Sequence, residues 1–276
     1  KIISSNLDDD KHFFFNNFEA DQINLFKEDF YENKTIKIIS SIGLKINYDQ
    51  KNNLISLAQS KSNDWALILD SSFENFEINF AGSYLSPSDD YDNKSRINGY
   101  GLTGCLNFYN VEFKNSVITS NAGKCEDSIN LVSSSGTLKK ISVSKSYFDA
   151  LDMDFSNLVI NRLDIKDSGN DCVDVSYGNY MIAKAFLELC KDKSISIGER
   201  SQLRVSNLEI SNSLKGISSK DFSKTFIENL SSYNVDLDLE AYNKKQEFGG
   251  SILQVNNIKG DYIKTFKDEN SFISIN

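Results

Sequence analysis

Branched aliphatic residues recur every 22 positions through the second half of the chain, at Ile129, Leu151, Val173, Ile195, Ile217 and Leu239. Two residues after each comes an apolar or small one: Leu131, Met153, Val175, Ile197, Ser219 and Ala241. Between the two series the residue is always polar: Asn130, Asp152, Asp174, Ser196, Ser218 and Glu240. Alternation of this kind predicts a strand with one face buried and the other exposed. Nine residues after the anchor a second apolar position recurs at Leu138, Ile160, Ile182, Phe226 and Phe248, with Leu203 and Val205 nearby in the coil from Ile195. A third strand follows at Ile141/Val143, Leu163/Ile165 and Ala185/Leu187, then one residue late at Leu208/Ile210. The intervening turns are rich in Ser, Asn, Asp and Gly, which tolerate the dihedrals that turns need.

A 22-residue unit with three short strands cannot bury its own inner face. Stacked units can, because each strand pairs in parallel with its counterparts above and below. The predicted fold class is therefore all-β: a right-handed parallel β-helix with coils of about 22 residues, three strands per coil, and a cap at the N-terminus. The handedness follows from the rule for parallel crossovers. Helices are excluded by the period of two, and a β-sandwich would need no fixed step.

The pattern extends upstream. The stretches 104–120, with Leu106 and Phe108 as its first pair, and 64–82 both read as further coils. Between them, 83–104 holds the chain's single proline, Pro87, with several glycines and mixed charge, and reads as a loop leaving the stack. The predicted organisation is a cap over 1–63 and a β-helix over 64–276 with that excursion. Within the cap, 35–57 alternates as strands and 18–33 has the mixed periodicity of a short helix. A cap is required because an open solenoid end exposes unpaired backbone and apolar rungs. The final residues, 262–276, read as a terminal coil or a C-terminal cap.

Composition narrows the chemistry. The 276 residues carry a net charge of −9, a poor match to phosphate backbone, so no nucleic-acid partner is expected. No apolar run approaches the ~18 residues needed to span a bilayer, so no membrane insertion is expected. The chain begins at Lys1 without a leader pattern, as a mature or excised segment would. Its four cysteines, Cys105, Cys125, Cys172 and Cys190, form no C-x-x-C motif. Small buried residues and one or two disulfides both fit. The one histidine, His12, leaves little room for a His-based triad or a multi-His metal site.

Register concentrates the acids. Parallel strands lie about 4.8 Å apart, so residues one period apart stack. Asp152 then lies beside Asp174. A second column runs Asp127, Asp149, Asp171, Lys193, Lys215, and a third runs Asp154, Ser176, Gly198, Lys220. Two carboxylates at this spacing repel by roughly 1 kcal/mol in water and by several-fold more when partly buried. Compensation can come from Ca²⁺ held by Asp149 and Asp171, from Lys193, Lys220 or Arg200, from turn hydrogen bonds, or from protonation. Asp152, Asp154 and Asp174 lie inside the strand, where Asp is disfavoured, and are the strongest catalytic candidates, with Lys220 beside them. In the run 240–250, Tyr242, Lys244, Lys245 and Gln246 are expected to overhang the same sheet, and Tyr242 and Lys244, with Arg200, are candidates for binding substrate.

The successive runs "DALDMDFSN", "GNDCVDVSYGN" and "DKSISIGERS" on this ladder resemble the right-handed parallel β-helix proteins of the pectate-lyase-like superfamily. The resemblance covers roughly residues 64–270. It implies a polysaccharide partner, often acidic, lying along the first parallel sheet, with either clustered aspartates or Ca²⁺ and an Arg or Lys base doing the chemistry. The His-Gly and Arg-x-Lys elements of the hydrolases in that superfamily are absent, and no lyase motif stands out. Two functions follow as expectations. One is a secreted or surface-associated protein that binds or processes a polysaccharide, as a lyase or glycoside hydrolase. The other is a non-catalytic structural or protein-interaction module of a larger protein.

Overall fold

The computed structural model describes residues 23–29, 35–83, 97–99, 101–260 and 262–276. His12, the ends of the 18–33 segment and most of the 83–104 excursion lie outside them. The chain winds about nine times into an all-β parallel solenoid with coils about 22 residues apart. The period read from sequence is the pairing register: Ile129, Leu151, Val173, Ile195, Ile217 and Leu239 are consecutive partners along one parallel sheet. All six are fully buried. Each such side chain contributes roughly 1.5–3 kcal/mol on leaving water, so the inward column drives the stacking.

From Glu112 onward the second and third strands of the coil run on without a break, as in Asn157–Ser168 and Asn179–Cys190, whereas in the first coil they are separate, Ser72–Glu74 and Glu77–Ala81. The coil is thus one short strand on the first sheet and one long strand that bends across the second and third. The third-sheet pairs are in the expected register, including the late step from Ala185 to Leu208 and Leu187 to Ile210. The second sheet corrects the sequence reading at two positions. Phe226 points outward beneath Arg204, whose guanidinium lies 4.7 Å from the ring centroid, while Thr225 and Ile227 are buried. Phe248 belongs to the loop between the strands Lys224–Tyr242 and Ile252–Gly260. The cause is one extra residue at the corner after Ile197. Glu199 and Arg200 both adopt positive φ there, so Ile182 pairs with Val205, and Val205 with Ile227.

At the N-terminal end the short helix expected within 18–33 is not formed where the chain is described. Ile23–Asp29 is a strand, antiparallel to Thr35–Ser41, which runs antiparallel along Ala66–Leu69 of the first coil. Lys45–Asp49 forms a hairpin with Leu54–Ala58, which joins Glu77–Ala81 in parallel. These antiparallel additions cover the edge of the first rung. The core is continuous from Ile36 to Val255. Two disulfides, Cys105–Cys125 and Cys172–Cys190, close loops next to the first sheet.

The corners repeat as well. Asn110, Asn115, Asn212 and Asn234 take left-handed dihedrals, which Asn accepts at low cost. The side-chain amides of Asn110, Asn115 and Asn234 donate to the equivalent residue of another coil, Asp70, Asn75 and Asn212 respectively, at 2.7 Å.

Candidate functional site

Three stacked columns of largely polar residues run along the first sheet. The middle one runs Asn107, Asn130, Asp152, Asp174, Ser196, Ser218, Glu240. Its ends are satisfied locally. The Asn107 amide donates to the carbonyls of Ala66 and Gly104. Ser218 donates to Glu240, and Lys215 donates to Glu240 at 3.1 Å. Its centre is not: Asp152 accepts only from the Asn130 amide at 3.1 Å, and no described residue donates to Asp174.

The column at the sheet's edge is buried. Asp127, Asp149 and Asp171 are each less than 5% exposed. Asp149 Oδ1 accepts from the backbone N–H of Asp171 and from the Asn170 amide, both at 2.7 Å. Asp171 Oδ1 accepts from the backbone N–H of Lys193 at 2.9 Å. The Asp149 and Asp171 carboxylates therefore each cap the start of the next coil's strand. Lys193 closes the run, with its ammonium 3.3 Å from Asp171 and also on Asp192.

The third column runs Asp154, Ser176, then Gly198, then Lys220 and Tyr242. Gly198 has no side chain, and the Lys220 stem passes over it. Lys220 is buried and donates to Ser196 Oγ at 2.6 Å. Glu199 accepts from Ser176 and from Lys245.

The acids respond to this crowding. Burial, with Asp149 and Glu126 adding to it against a hydrogen bond from Thr103, pushes Asp127 up to about 8. Burial and the Asp171 charge push Asp149 up to about 7. Asp152 is held well above the carboxylate range by burial and by Asp127, Asp154 and Asp174. Asp154, more open, rises to about 6 from burial and Asp174. Burial also raises Asp171, although Lys193 opposes it. Burial pulls the Lys193 ammonium down, but Asp171 and Asp192 outweigh it and leave it above its ordinary value. Burial pushes Glu199 up, and the hydrogen bonds from Lys245 and Ser176 more than reverse this. A protonated carboxyl beside an ionised one is thus available on the same face, the arrangement general acid–base chemistry uses.

A cation is the other answer to the crowding. Carboxylate oxygens of Asp149, Asp171 and Asp174 lie within 4.8 Å of one another. Their donor type fits a hard divalent ion, but the Lys193 ammonium already serves Asp171, so the outer oxygens of Asp149 and Asp174 are the ones open to it.

The structure thus gathers Asp149, Asp152, Asp154, Asp171 and Asp174, and it places Lys220 in the column of Asp154 two coils beyond Asp174, its ammonium reaching back to Ser196. Tyr242 stacks beside Lys220, where burial and Glu240 push its phenol up to about 12. Arg200 is elsewhere: its guanidinium lies 5.9 Å from the ring centroids of both Phe222 and Phe248. Lys244 points to solvent and gives only its backbone N–H to Asp221. Its neighbour Lys245 makes the ion pair with Glu199.

Sequence reasoning missed the aromatic strip beside this sheet. Phe155 and Tyr177 stack at 4.9 Å and 5°. Phe248 follows edge-on to Tyr177 at 6.3 Å, and Phe222 edge-on to Phe248 at 6.1 Å. Phe155 and Tyr177 are 22 residues apart, so the period was visible. The rings lie at corner positions outside the alternating strand pattern, and Phe222 and Phe248 join through the shifted corner and the last long loop. No protein-family model matches the chain, and comparisons with curated proteins and with solved structures give no match either.

Proposed function

We propose that this chain is the glycan-binding β-solenoid of a secreted or cell-surface protein, with a polysaccharide lying along the first sheet over Asp152, Asp154 and Asp174. One observation carries the reading: those three carboxyls share an open face on which, among the described residues, no base pairs directly with Asp152 or Asp174. Equivalent positions in neighbouring coils hold Asn or Ser, which satisfy the same sheet without repulsion. The two disulfides support an oxidising compartment.

In the catalytic form of this reading, a protonated Asp152 donates to the leaving oxygen and an ionised neighbour acts as base or nucleophile. Adjacent rungs put their Cα atoms about 4.8 Å apart, closer to the ~5 Å carboxyl spacing of a covalent mechanism than to the wider spacing that holds a water. The non-catalytic form, a module that binds without turnover, is favoured by Asp149 and Asp171, whose carboxylates are engaged with backbone.

The test is a glycan array followed by incubation with each bound polysaccharide and analysis of its reducing ends and unsaturated products. Binding that is lost in Asp152→Asn and Asp174→Asn, with the melting temperature kept, supports the site. Wild-type affinity in both variants overturns it, and turnover decides between the two forms.

A further inference from the structure

The aromatic strip carries a second, more specific reading, which rests on the glycan site just proposed. Phe155, Tyr177 and Phe222 are 56%, 40% and 45% exposed. All three adopt left-handed backbone, with φ between 45° and 63°. Bulky residues rarely do so, at a cost of order 1–3 kcal/mol. The same corner in earlier coils is built from Asp70, Asn110 and Ser133, also left-handed. Because short polar residues serve there, the turn itself does not call for rings.

The stack is open at one end. Phe155 covers one face of Tyr177. The residue at the equivalent corner on the far side of Phe155 is Ser133, whose backbone N–H donates to Asp154 as that of Phe155 donates to Ser176. Ser133 has no ring, so the outer face of Phe155 is a one-ring shelf. It adjoins Asp154 in sequence and Asp152 on the same strand.

Charge selects the occupant. Most bases near this face are already engaged: Lys193 with Asp171 and Asp192, Lys215 with Glu240, Lys245 with Glu199, Arg200 over Phe222 and Phe248, and Lys220, buried, with the Ser196 hydroxyl, while Lys244 points to solvent. A uronic-acid chain would bring carboxylates to carboxylates. A protonated amine meets Asp152, Asp154 and Asp174, and a ring face attracts cations as well as the C–H face of a sugar. We propose that the strip and the acid columns form one binding groove for an amine-bearing glycan, with a sugar ring stacked on Phe155 and its amine directed at the carboxyls of Asp152, Asp154 and Asp174.

The experiment measures binding of three oligomers of equal length by calorimetry: glucosamine, N-acetylglucosamine and galacturonate. The glucosamine oligomer is expected to bind at least about tenfold more tightly than its acetylated counterpart. Phe155→Ala should weaken both about tenfold, since it removes the shelf, whereas Asp154→Asn should erase only the preference for the amine. Phe155→Leu, which keeps bulk without a π face, controls for a collapsed corner and is expected to behave as Phe155→Ala. Equal affinity for the two hexosamine oligomers, or preference for galacturonate, overturns the inference and leaves the glycan site standing. Failure of all three overturns the inference, and silence on the glycan array then removes the site reading too.

Discussion

Asp152 and Tyr180 show how much a single position decides at this face. Asp152 lies among four carboxyls that each raise its affinity for a proton. Replacing it with Asn removes repulsion while keeping the shape, so Asp152→Asn is expected to leave the melting temperature unchanged or higher and to abolish glycan binding. A fall of the melting temperature by several degrees would show that Asp152 serves the fold instead. Tyr180 lies directly beneath: its buried hydroxyl donates to the Met153 carbonyl at 2.8 Å and lies 3.1 Å from that of Ser176. Tyr180→Phe leaves these carbonyls short of a donor and is expected to cost about 1–3 kcal/mol in urea unfolding. Gly136 is a third such position. With φ at 104° and a would-be Cβ 2.0 Å from the Phe113 carbonyl oxygen, it accepts no side chain.

At the scale of the element, the coil is the unit, and its energetics are those of stacked neighbours. Leu151 has fully buried anchors on either side in Ile129 and Val173. Leu151→Ala should therefore cost about 2–5 kcal/mol in unfolding experiments, as a cavity in a packed interior does. The disulfide Cys172–Cys190 closes a separation of 18 residues around the coil that carries Asp174. The double substitution Cys172→Ser with Cys190→Ser is expected to lower stability by roughly 3 kcal/mol. It should also weaken glycan binding, because the strand Val173–Ser176 starts at that bridge. Unchanged binding in the double variant would separate the bridge from the site. The extra residue at Glu199–Arg200 is the element-scale exception: it displaces the second sheet by one and frees Arg200 to lie over the rings.

For the whole molecule, the buried acids set a pH response of definite sign. Asp127, Asp149 and Asp154 are raised to about 8, about 7 and about 6 in the folded chain, whereas in the unfolded chain they titrate near 4. The folded state therefore binds more protons across that window, and stability falls as pH rises through it. The melting temperature is expected to be highest near pH 5 and to decline toward pH 8, with a shallower decline in Asp154→Asn. A rise over the same range would refute the assignment. If the outer oxygens of Asp149 and Asp174 hold a divalent cation, Ca²⁺ should raise the melting temperature near pH 8, where Asp149 is ionised, and have little effect near pH 5, where Asp149 is protonated. No shift at either pH excludes the ion.

The sequence by itself determined the fold and the register. Inward positions on a parallel solenoid must be apolar at a fixed step, so Ile129 to Leu239 announced both the coil and the partners of Asp152 and Asp174. It also located the acid cluster, because stacking follows from the step alone. Only the tertiary structure decided what those acids face. Whether Asp149 caps a strand or looks into solvent depends on the turn at Asn170, and the role of Lys220 depends on the space above Gly198. A one-residue insertion at a corner preserves local alternation, so Phe226 could be assigned inward when Ile227 was. The Phe155–Tyr177–Phe248–Phe222 strip joins residues from three coils and a loop at left-handed corners, where no hydrophobic period operates. Periodic burial is written along the chain, whereas contacts between corners exist only once the coils have closed.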